Sequence, residues 1–454
     1  MGGLTRVIPA LANNCEVQWN VFSATANSGH QNTYDYEALA NESFKNPLVI
    51  THCDPLQANL KSSDWFCANV LWPLLHGLAV PELDLTALHL HWEDLQDTTR
   101  HLVNSALASP GDGILINDFQ LAPAARILSE SGFNGPIAFF LHTPWPTATN
   151  ADEISVLLMI KLATEIANAD IVYFQTSSHL ANFKALMVSQ LGAEATDDGI
   201  KLVSELGIAR TLLKVQPVSV DPIRLNEMPF EVDPDLDPSD LLFVHVARSD
   251  PSKNTLNTIK AFASFVKSQT YVSRQIFLDL HIVPSRQEWG IYQFLLAEIL
   301  RTVKQLNLEL APIQEQAIRL HTSNNYASAL GSLRRFDVLL APSHADGMNL
   351  VIKEASALNT KSGFVVATHK VGAMSELAQH CLLAANGSEH AILAAIQEGF
   401  QLPDQVRTRM AVARSEAVRS NDAAKWATRV VEAIRDLHDS KLLATSSRPV
   451  APRL

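Results

Sequence analysis

Two short strings of residues carry the chemistry of this sequence most plainly. One is Arg248-Ser249-Asp250-Pro251-Ser252-Lys253, which presents an arginine and a lysine five residues apart. The other, roughly 100 residues later, is Asp346-Gly347-Met348-Asn349-Leu350-Val351-Ile352-Lys353-Glu354. Two cations and the N-terminus of a helix can bind a diphosphate. A carboxylate inside that helix, such as Glu354, can accept both hydroxyls of a ribose, so the two strings together predict a site for a sugar nucleotide.

Each string also has an ordinary structural interpretation. Arg248 and Lys253 taken alone are explained as well by solvated surface cations that follow a strand, and Asp346 by the N-cap of a helix. The functional interpretation is that fixed cations stabilise the charge that develops on a leaving nucleoside diphosphate. Gly347 would let backbone N–H groups approach phosphate or sugar oxygens closely. The presence of both strings in one chain favours the functional interpretation.

Two further polar residues are predicted to end strands. His142 follows an apolar run and precedes Pro144 and Pro146, which places it to hydrogen-bond a substrate hydroxyl. Asp118 lies in Asn117-Asp118-Phe119-Gln120-Leu121 and likewise ends a predicted strand. The alternatives stay open at this point: a structural histidine satisfied by the backbone, and a carboxylate that caps a helix.

Arg286 and Trp72 are candidates for binding the phosphate of an acceptor, because arginine offers a planar fork of donors. Their alternatives are a solvated surface cation and a core tryptophan. His89 and His91 alternate on one segment, but no carboxylate or cysteine follows at metal-ligand spacing. We read them as structural and predict neither a metal site nor a cofactor.

Composition sets the class of protein. The chain has 454 residues, a formal net charge of -12, 47% hydrophobic and 18% charged residues. These values predict a soluble globular enzyme of two or three domains that does not bind nucleic acid unaided. Four scattered cysteines indicate free thiols in a reducing compartment. No apolar run approaches the ~18 residues that span a bilayer, and no signal peptide is recognisable, so we predict a cytoplasmic location without a membrane.

Short apolar runs alternate with amphipathic segments such as Glu93–Ala108 and Tyr292–Gln305. Continuous apolar strands joined by helices predict an α/β fold with parallel sheets covered on both faces. The predicted strands of the first half are Leu48–Thr51, Ile114–Ile116, Ile137–Leu141, Ile171–Phe174 and Leu212–Val215. Those of the second half are Leu242–Val246, Ile276–Val283, Ile318–His321, Val338–Ala341 and Phe364–Ala367.

These strands divide into two doubly wound, Rossmann-like domains. We predict a first domain over residues 1–220, an acidic, proline-spaced linker over 221–240 and a nucleotide-sugar-binding domain over 241–420. A C-terminal helix is predicted over 421–438 and a disordered tail over 439–454. Ligands bind at the carboxyl ends of such strands, which implies a cleft between the two domains.

Taken together, these residues resemble the trehalose-6-phosphate synthase family of retaining glycosyltransferases, from Gly2 to about Leu437. The resemblance implies the GT-B fold: two Rossmann-like domains facing a cleft, with a C-terminal helix that crosses back to the first domain. The motifs that carry it are Gly2-Gly3-Leu4, Leu71-Trp72-Pro73, Asn117 to Leu121, the His142 segment, Phe174-Gln175-Thr176, Arg248 to Lys253, Pro284-Ser285-Arg286 and Asp346 to Glu354.

The resemblance also implies a role for each motif residue. Arg248 and Lys253 would bind the donor diphosphate in a transfer that retains the anomeric configuration without a metal. His142 and Asp346 would hold the transferred sugar, and Asp118 would contact acceptor-side hydroxyls. The catalytic set is therefore His142, Arg248, Lys253 and Asp118; the donor site adds Gly3, Asp346, Gly347, Met348, Asn349, Leu350 and Glu354, and the acceptor site adds Trp72 and Arg286.

The chain departs from the family pattern on the acceptor side. Asn117-Asp118-Phe119 stands where the family has His-Asp-Tyr, and Ser63 stands where it has a tyrosine. The form Asp250-Pro251-Ser252-Lys253-Asn254 resembles the validoxylamine phosphate synthase branch, which joins two cyclitol units. Met348 and Ser285-Arg286 keep the trehalose form. The donor machinery is thus expected to be intact, whereas the acceptor is open.

The beginning of the chain also differs from the family. Family members open with a strand and a basic residue before the Gly-Gly-Leu loop, whereas this sequence opens with Met1-Gly2-Gly3. Loss of a central strand would leave unpaired backbone groups. Our hypothesis is that the first strand is missing because the true start lies upstream or the chain is a fragment.

The leading expectation is transfer of glucose from a nucleotide donor, expected to be UDP-glucose, to glucose 6-phosphate, giving trehalose 6-phosphate in trehalose biosynthesis. Two alternatives remain: a related transferase with another phosphorylated acceptor or a cyclitol donor (a pseudo-glycosyltransferase), and a weakly catalytic sugar-phosphate-sensing homologue. The expected partners are the nucleotide-sugar donor, the sugar-phosphate acceptor and a second copy of the chain in a homo-oligomer.

Overall fold

The computed structural model describes residues 8–22, 44–54, 56–109, 111–149, 151–204, 207–234, 236–268 and 274–446. These residues form two compact units. The first unit comprises Val7–Pro217 together with Ala424–Leu454, and the second comprises Val218–Ala423. Between these segments the chain leaves the first unit and later returns to it.

The first unit contains a six-stranded sheet with strand order β3-β4-β5-β8-β7-β6 and a separate parallel pair, β1-β2. Strands β3, β4, β5 and β8 are parallel, and β7 and β6 extend the sheet antiparallel. Its strands are β1 Val17–Phe22, β2 Leu48–Cys53, β3 Ile114–Asn117, β4 Ile137–Leu141, β5 Ile171–Phe174, β6 Glu194–Ala195, β7 Gly199–Ser204 and β8 Gly207–Val215. Its helices are α1 Ile8–Ala12, α2 Gln57–Phe66, α3 Trp72–Leu75, α4 Leu85–Leu107, α5 Ala124–Glu130, α6 Glu153–Ile166 and α7 Ser177–Leu191.

The second unit contains a wholly parallel sheet with strand order β11-β10-β9-β12-β13-β14. Its strands are β9 Leu241–Arg248, β10 Ile276–Val283, β11 Ile318–His321, β12 Val338–Ala341, β13 Phe364–Thr368 and β14 Leu382–Ala384. Its helices are α8 Pro222–Glu227, α9 Thr255–Ser268, α10 Gly290–Leu310, α11 Tyr326–Arg335, α12 Leu350–Leu358, α13 Met374–Leu377, α14 Glu389–Gln401 and α15 Asp404–Ser420. A final helix, α16 Ala423–Ser446, returns the chain to the first unit.

From β9 the chain adds β10 and β11 on one side of the sheet, and from β12 it adds β13 and β14 on the other side. The position between β9 and β12 is therefore the switch point of the sheet. Phe243 and Val244 of β9 pair with Val338 and Leu339 of β12, and beyond them the two strands separate towards their carboxyl ends. Ligands of open α/β sheets bind at such a switch point. The residues that follow β9 and β12 are therefore placed to form a ligand site.

Burial explains why the central strands form where they do. Every residue of β4, β5, β12 and β13 is buried, as expected for strands covered by helices on both faces. Helices begin at polar caps: the carboxylate of Asp152 accepts from the N–H of Ser155 at 2.9 Å, and that of Asp84 from Ala87 at 2.7 Å. The apolar interior of each unit thus fixes the sheet, and the polar connections lie at its edges.

The predicted strands all occur in the structure, although several are longer than predicted. Strands β1, β6, β7 and β14 were not predicted. They lack a long unbroken apolar run, and two of them pair antiparallel at the edge of the sheet. The two predicted amphipathic segments correspond to α4, which begins eight residues earlier than predicted, and α10, which begins two residues earlier.

The segment 221–240, predicted as a linker, packs on the second unit. It contains α8, capped by Asp221. Side chains from α11 and β11 bind its backbone and its acidic residues: Arg334 Nη2 donates to Leu225 O at 3.3 Å, Arg335 Nη2 donates to Leu236 O at 3.0 Å, and Arg319 forms an ion pair with Asp233. The acidic residues and prolines that suggested a linker belong to a surface segment, and arginine side chains hold this segment on the second unit.

The final helix runs to Ser446, beyond the end predicted at residue 438. Lys441, which the prediction placed in a disordered tail, donates to Gly135 O at 3.0 Å and forms an ion pair with Asp170 at 2.7 Å. These contacts on the first unit stabilise the extra turns. None of the helices within the described ranges is both long and apolar enough to cross a membrane.

Candidate active site

In the first unit, His142 follows β4 and lies against the ends of two neighbouring strands. Its Nδ1 accepts from Gln175 Nε2 at 3.3 Å, and its Nε2–H donates to Asn117 Oδ1 at 3.1 Å. The ring stacks on Phe140, with 4.5 Å between ring centroids. Two amides therefore fix the neutral ring. A substrate hydroxyl that binds this ring would have to replace one of them.

Asp118 follows β3 in an unusual backbone conformation, with φ 70° and ψ 168°. Only glycine adopts this region readily, and other residues are held there at a cost of about 1–3 kcal/mol. Its Oδ1 accepts from the backbone N–H groups of His142 at 3.1 Å and Thr143 at 3.3 Å. The carboxylate thus ties the end of β3 to the turn after β4, and the strain concentrates at a predicted catalytic residue.

Burial moves the pKa values of these two groups in opposite directions. It raises the pKa of the Asp118 carboxyl to about 6, against hydrogen bonds from Phe119, Thr143 and His142 that lower it. It lowers the pKa of the His142 imidazole to about 3. Each shift disfavours the charged form, which is the effect of desolvation. At neutral pH His142 is uncharged, and Asp118 titrates close to the physiological range.

In the second unit, Lys253 and Asp346 form an ion pair at the carboxyl ends of β9 and β12. Both side chains are largely buried. Asn254 follows in a left-handed conformation, with φ 58°, and its Nδ2 donates to Pro342 O at 3.0 Å and Gly387 O at 2.7 Å. The two strings singled out in the sequence therefore meet at the switch point of the sheet.

The turn from Asp346 to Leu350 is fixed by the segment after β13. Asp346 N donates to Lys370 O at 3.1 Å, Gly372 N donates to Asp346 O at 3.0 Å, and Ala373 N donates to Met348 O at 2.8 Å. A Cβ on Gly372 would overlap the carbonyl oxygen of Gly347. This close approach requires glycine at 372 and keeps the turn in one conformation.

Helix α12 begins directly after this turn. Asn349 is left-handed, with φ 66° and ψ 77°, and its Nδ2 is directed to Ser343 Oγ at 3.5 Å, away from the first N–H groups of the helix. Those N–H groups point to where an anion would bind. One turn further, the buried Glu354 accepts from the hydroxyl of Tyr326 at 3.2 Å. The geometry suits a phosphate at the helix start and a diol at Glu354.

Arg248 and Arg286 lie on either side of one buried carboxylate. Arg286 Nη1 donates to Asp250 Oδ2 at 3.1 Å, and Arg248 Nη2 lies 3.6 Å from the same oxygen. Arg286 also donates to the hydroxyl of Tyr292 at 3.1 Å. The structure thus brings together a predicted donor-binding cation and a predicted acceptor-binding cation through a residue that the sequence analysis gave no role.

Among the described site residues, Trp72 lies outside the contacts given above. Trp72 is buried in the core of the first unit, stacked on His76 with 4.1 Å between ring centroids and packed against Phe119. The contact of Trp72 with an acceptor phosphate stays a prediction. Gly3 lies outside the described residues.

One cluster in the second unit has the residue types of a metal site. Asp279, His281 and His321 each offer a ligand atom, all within 4.8 Å of one another. However, Asp279 Oδ1 already accepts from Arg319 Nε at 2.8 Å, and the two imidazole rings are stacked nearly parallel, with 4.4 Å between ring centroids. Parallel rings do not direct their lone pairs to one ion, so the cluster is better explained by its internal ion pair. The absence of a metal stays a prediction.

Comparison with protein families decides the classification of the chain. The model of glycosyltransferase family 20 matches residues 1–436. The chain belongs to glycosyltransferase family 20. The family resemblance stated from the sequence motifs is thereby confirmed.

Several curated relatives of this family 20 chain are similar to it in sequence. The bifunctional trehalose-6-phosphate synthase/phosphatase of Thermoproteus tenax is 28% identical over 380 residues, 80% of this chain and 50% of that protein. The trehalose-6-phosphate synthase of Mycobacterium leprae is 26% identical over 82% of this chain and 77% of that protein. The validamine 7-phosphate valienyltransferase of Streptomyces hygroscopicus subsp. jinggangensis is 24% identical over 64% and 59%. The chain spans half or less of the Thermoproteus protein and of two Arabidopsis thaliana trehalose-phosphate synthases.

Solved structures are similar over almost the whole chain. The trehalose-phosphate synthase of Burkholderia xenovorans in complex with glucose-6-phosphate matches with a TM-score of 0.79 at 19% identity, covering 96% of this chain and 97% of that one. The E. coli protein bound with UDP-2-fluoro glucose matches with a TM-score of 0.80 at 19% identity, covering 96% of each chain. At this identity the likeness establishes the fold, and it confirms the predicted GT-B class.

Sequence analysis of this family 20 chain missed four residues that hold the predicted site in place. They are Asn117 and Gln175 on His142, Asp250 between two arginines, and Tyr326 on Glu354. Asn117, Gln175 and Asp250 stood inside motifs that were noticed, yet their partners His142 and Arg286 lie in other motifs, and spacing along the chain does not show these contacts. Tyr326 carried no sequence signal apart from its position at the start of a helix.

Proposed function

We propose that this chain is a retaining glycosyltransferase that moves glucose from UDP-glucose to glucose 6-phosphate, giving trehalose 6-phosphate. The observation that carries the proposal is the ion pair of Lys253 with Asp346 at the switch point of the second sheet, beside the start of α12. This places a cation, a carboxylate and helix N–H groups at one point, which suits a sugar diphosphate.

The relatives support the same reaction. Proteins named trehalose-6-phosphate synthase are similar over 80% or more of this chain, and similar structures hold a UDP-sugar analogue or glucose-6-phosphate. In the proposed reaction Arg248 and Lys253 stabilise the leaving diphosphate. Glu354 accepts the ribose hydroxyls, and neutral His142 with Asp118 positions sugar hydroxyls in the first unit.

A second candidate is transfer of a cyclitol unit from a nucleotide donor. It is favoured by Asn254, which adopts a left-handed conformation where the trehalose-type motif has glycine and is fixed by two carbonyl oxygens. One relative similar over 64% of this chain is a validamine 7-phosphate valienyltransferase. The two candidates share the donor diphosphate site and differ in the sugar-like ring that is transferred.

A product screen by mass spectrometry tests the proposal. Purified protein is incubated with UDP-, GDP- or ADP-glucose and glucose 6-phosphate, and calorimetry measures nucleotide binding in parallel. A trehalose-phosphate product is expected with UDP-glucose. Nucleotide binding without product would favour the cyclitol candidate, and absence of both would overturn the proposal. The cytoplasmic location and the homo-oligomer stay predictions.

The pKa of Asp118 gives a prediction for the pH dependence of transfer. Its carboxyl is ionised above pH of about 6, so kcat/KM should rise through that pH and level off. A sugar phosphate also titrates near pH 6, so the measurement is the ratio of wild-type to Asp118→Asn activity between pH 5 and 8. Substrate titration cancels in this ratio.

We expect that ratio to be about 10–100 above pH 7 and to fall towards one at pH 5, as the wild-type carboxyl becomes protonated. His142, whose pKa is about 3, adds no step in this range. A ratio that stays constant over the whole range would contradict a role for the ionised Asp118.

The hydrogen bond from Tyr326 to Glu354 predicts an effect on nucleotide affinity. Tyr326→Phe removes the donor from a buried carboxylate, and such a loss costs about 1–2 kcal/mol. We expect Kd for UDP, measured by calorimetry, to rise about 5- to 30-fold with kcat little changed.

Tyr173→Phe is the matched control for this variant. The hydroxyl of Tyr173 is buried without a hydrogen-bond partner within the described part of the chain, so its removal should leave UDP affinity unchanged. Equal affinities for all three proteins would show that Tyr326 does not orient Glu354.

A further inference from the structure

Asp250 is a buried carboxylate shared by two arginines of the second unit. Its Oδ2 accepts from Arg286 Nη1 at 3.1 Å and lies 3.6 Å from Arg248 Nη2. The Asp250 side chain is wholly buried, whereas 39% of the Arg248 side chain and 18% of the Arg286 side chain are exposed. The two guanidinium groups therefore reach solvent while their common partner does not.

The other oxygen of the carboxylate is fixed by its own loop. Oδ1 accepts from the backbone N–H of Ser252 at 3.0 Å and from its hydroxyl at 2.8 Å. These two bonds prevent the carboxylate from rotating. Oδ2 is therefore held in one position, towards the two arginines.

The loops that carry the arginines are joined to each other. Arg248 is paired with Val283 in the register of β9 and β10, so both loops leave the same edge of the sheet. Ser285 N donates to Ser249 Oγ at 3.1 Å, and Gln287 Nε2 donates to the same oxygen at 3.3 Å. The two arginines therefore leave backbone segments that are tied to each other.

Asp250 gives the two guanidinium groups a common carboxylate partner. Tyr292, which accepts from Arg286, is uncharged, and burial raises its pKa further above neutrality. An anion that binds Arg248 competes with a contact of 3.6 Å to Oδ2, whereas one that binds Arg286 competes with an ion pair of 3.1 Å. Binding of either anion therefore changes how the two cations share Oδ2.

We propose that Asp250 is a positioning residue that couples the binding of the two phosphate-bearing substrates. This rests on the proposed function, in which Arg248 binds the donor diphosphate and Arg286 the acceptor phosphate. When a diphosphate draws the Arg248 guanidinium away from Asp250, Arg286 becomes the main arginine partner of Asp250 Oδ2. The Arg286 guanidinium is then fixed before the acceptor arrives. The reverse order has the same effect on Arg248, because coupling between two sites is reciprocal.

The test uses Asp250→Asn in the full chain, because asparagine keeps the shape and the Oδ1 acceptor but removes the charge. Calorimetry measures Kd for glucose 6-phosphate without and with saturating UDP. In the wild type we expect UDP to tighten this Kd about 5- to 10-fold. In Asp250→Asn the ratio of the two Kd values should fall to within about twofold of one. The value of kcat should fall about 10- to 100-fold, and the KM of each substrate should rise by less than that.

The control is Glu165→Gln, which removes another buried carboxylate paired with an arginine, Arg126, in the first unit. It should lose stability but keep the wild-type coupling. If Asp250→Asn does not fold, Ser252→Ala removes the hydroxyl donor to Oδ1, so that the Ser252 side chain no longer helps to hold the carboxylate, and should at least halve the coupling factor.

The outcomes separate the two proposals. Wild-type protein that binds neither UDP nor glucose 6-phosphate overturns the proposed function itself. Wild-type protein that binds both, with a coupling factor of one or with a factor that Asp250→Asn or Ser252→Ala leaves unchanged, overturns only the role of Asp250.

Discussion

Replacing Arg248 with alanine is expected to lower kcat/KM for transfer by about 10²–10³-fold while the fold is retained. Arg248 ends β9, and its guanidinium is partly exposed beside Asp250. A fixed cation at this point acts where negative charge develops on the leaving diphosphate. Since the side chain is not part of the core, its truncation leaves the packing of the sheet intact.

The measurement is steady-state kinetics together with thermal unfolding. Arg301→Ala is a matched control, because Arg301 is an exposed arginine of the same unit that pairs with Glu298 along α10. It should retain wild-type kinetics. Arg248→Lys should recover part of the activity, because it restores the charge without the fork of donors. Full turnover by Arg248→Ala would refute the role assigned to this residue.

Replacing Glu376 with glutamine is expected to destabilise the second unit by about 3–5 kcal/mol. Glu376 Oε2 lies 2.5 Å from the Nζ of Lys353, whose side chain is 2% exposed and also donates to Val218 O at 2.8 Å. Burial lowers the pKa of Lys353 and Glu376 opposes that shift. Removal of the carboxylate therefore leaves a buried ammonium without its counter-charge.

The sign of the pH dependence distinguishes this cause from a packing defect. A lysine whose pKa is lowered by folding binds more protons in the unfolded chain, so stability rises with pH. The loss of stability in Glu376→Gln should therefore be largest near neutral pH. It should shrink as the pH approaches the pKa of an ordinary lysine. Lys353→Met in the same chain should recover most of the lost stability, because the unpaired charge is then gone.

An exposed pair provides the comparison for this variant. Lys267 and Glu309 form an ion pair at 2.6 Å, with side chains 44% and 39% exposed. Glu309→Gln should cost only a small fraction of the loss in Glu376→Gln, because solvent screens exposed pairs. Denaturant unfolding of both variants decides the matter, and equal losses would contradict the importance of burial.

The sequence predicted the central strands well because each is a continuous apolar run buried on both faces. Ile137–Leu141 and Ile171–Phe174 match the structure at both ends. Strand β7 could not be found in this way, since it lies near the sheet edge, pairs antiparallel and includes Gly199 and Lys201. Apolar periodicity identifies a strand only where the surroundings are apolar.

The candidate site was predictable in its residues and less so in their partners. Lys253 and Asp346 were both identified, and the structure adds that they bind each other. The sharing of Asp250 by Arg248 and Arg286 depends on the register of β9 with β10, which spacing along the chain does not show. Trp72 packs in the core of the first unit, and its contact with the acceptor phosphate stays a prediction.

The division of the first unit into two stretches of chain imposes an order on its synthesis. Trp426, fully buried, packs edge-on against Phe140 of β4 with 5.2 Å between ring centroids. Phe140 therefore stays uncovered on that face until the final helix has left the ribosome. Among the described residues, the second unit is the single stretch Val218–Ala423 and can complete its sheet earlier. The nascent first unit therefore keeps this apolar face exposed until α16 has been translated.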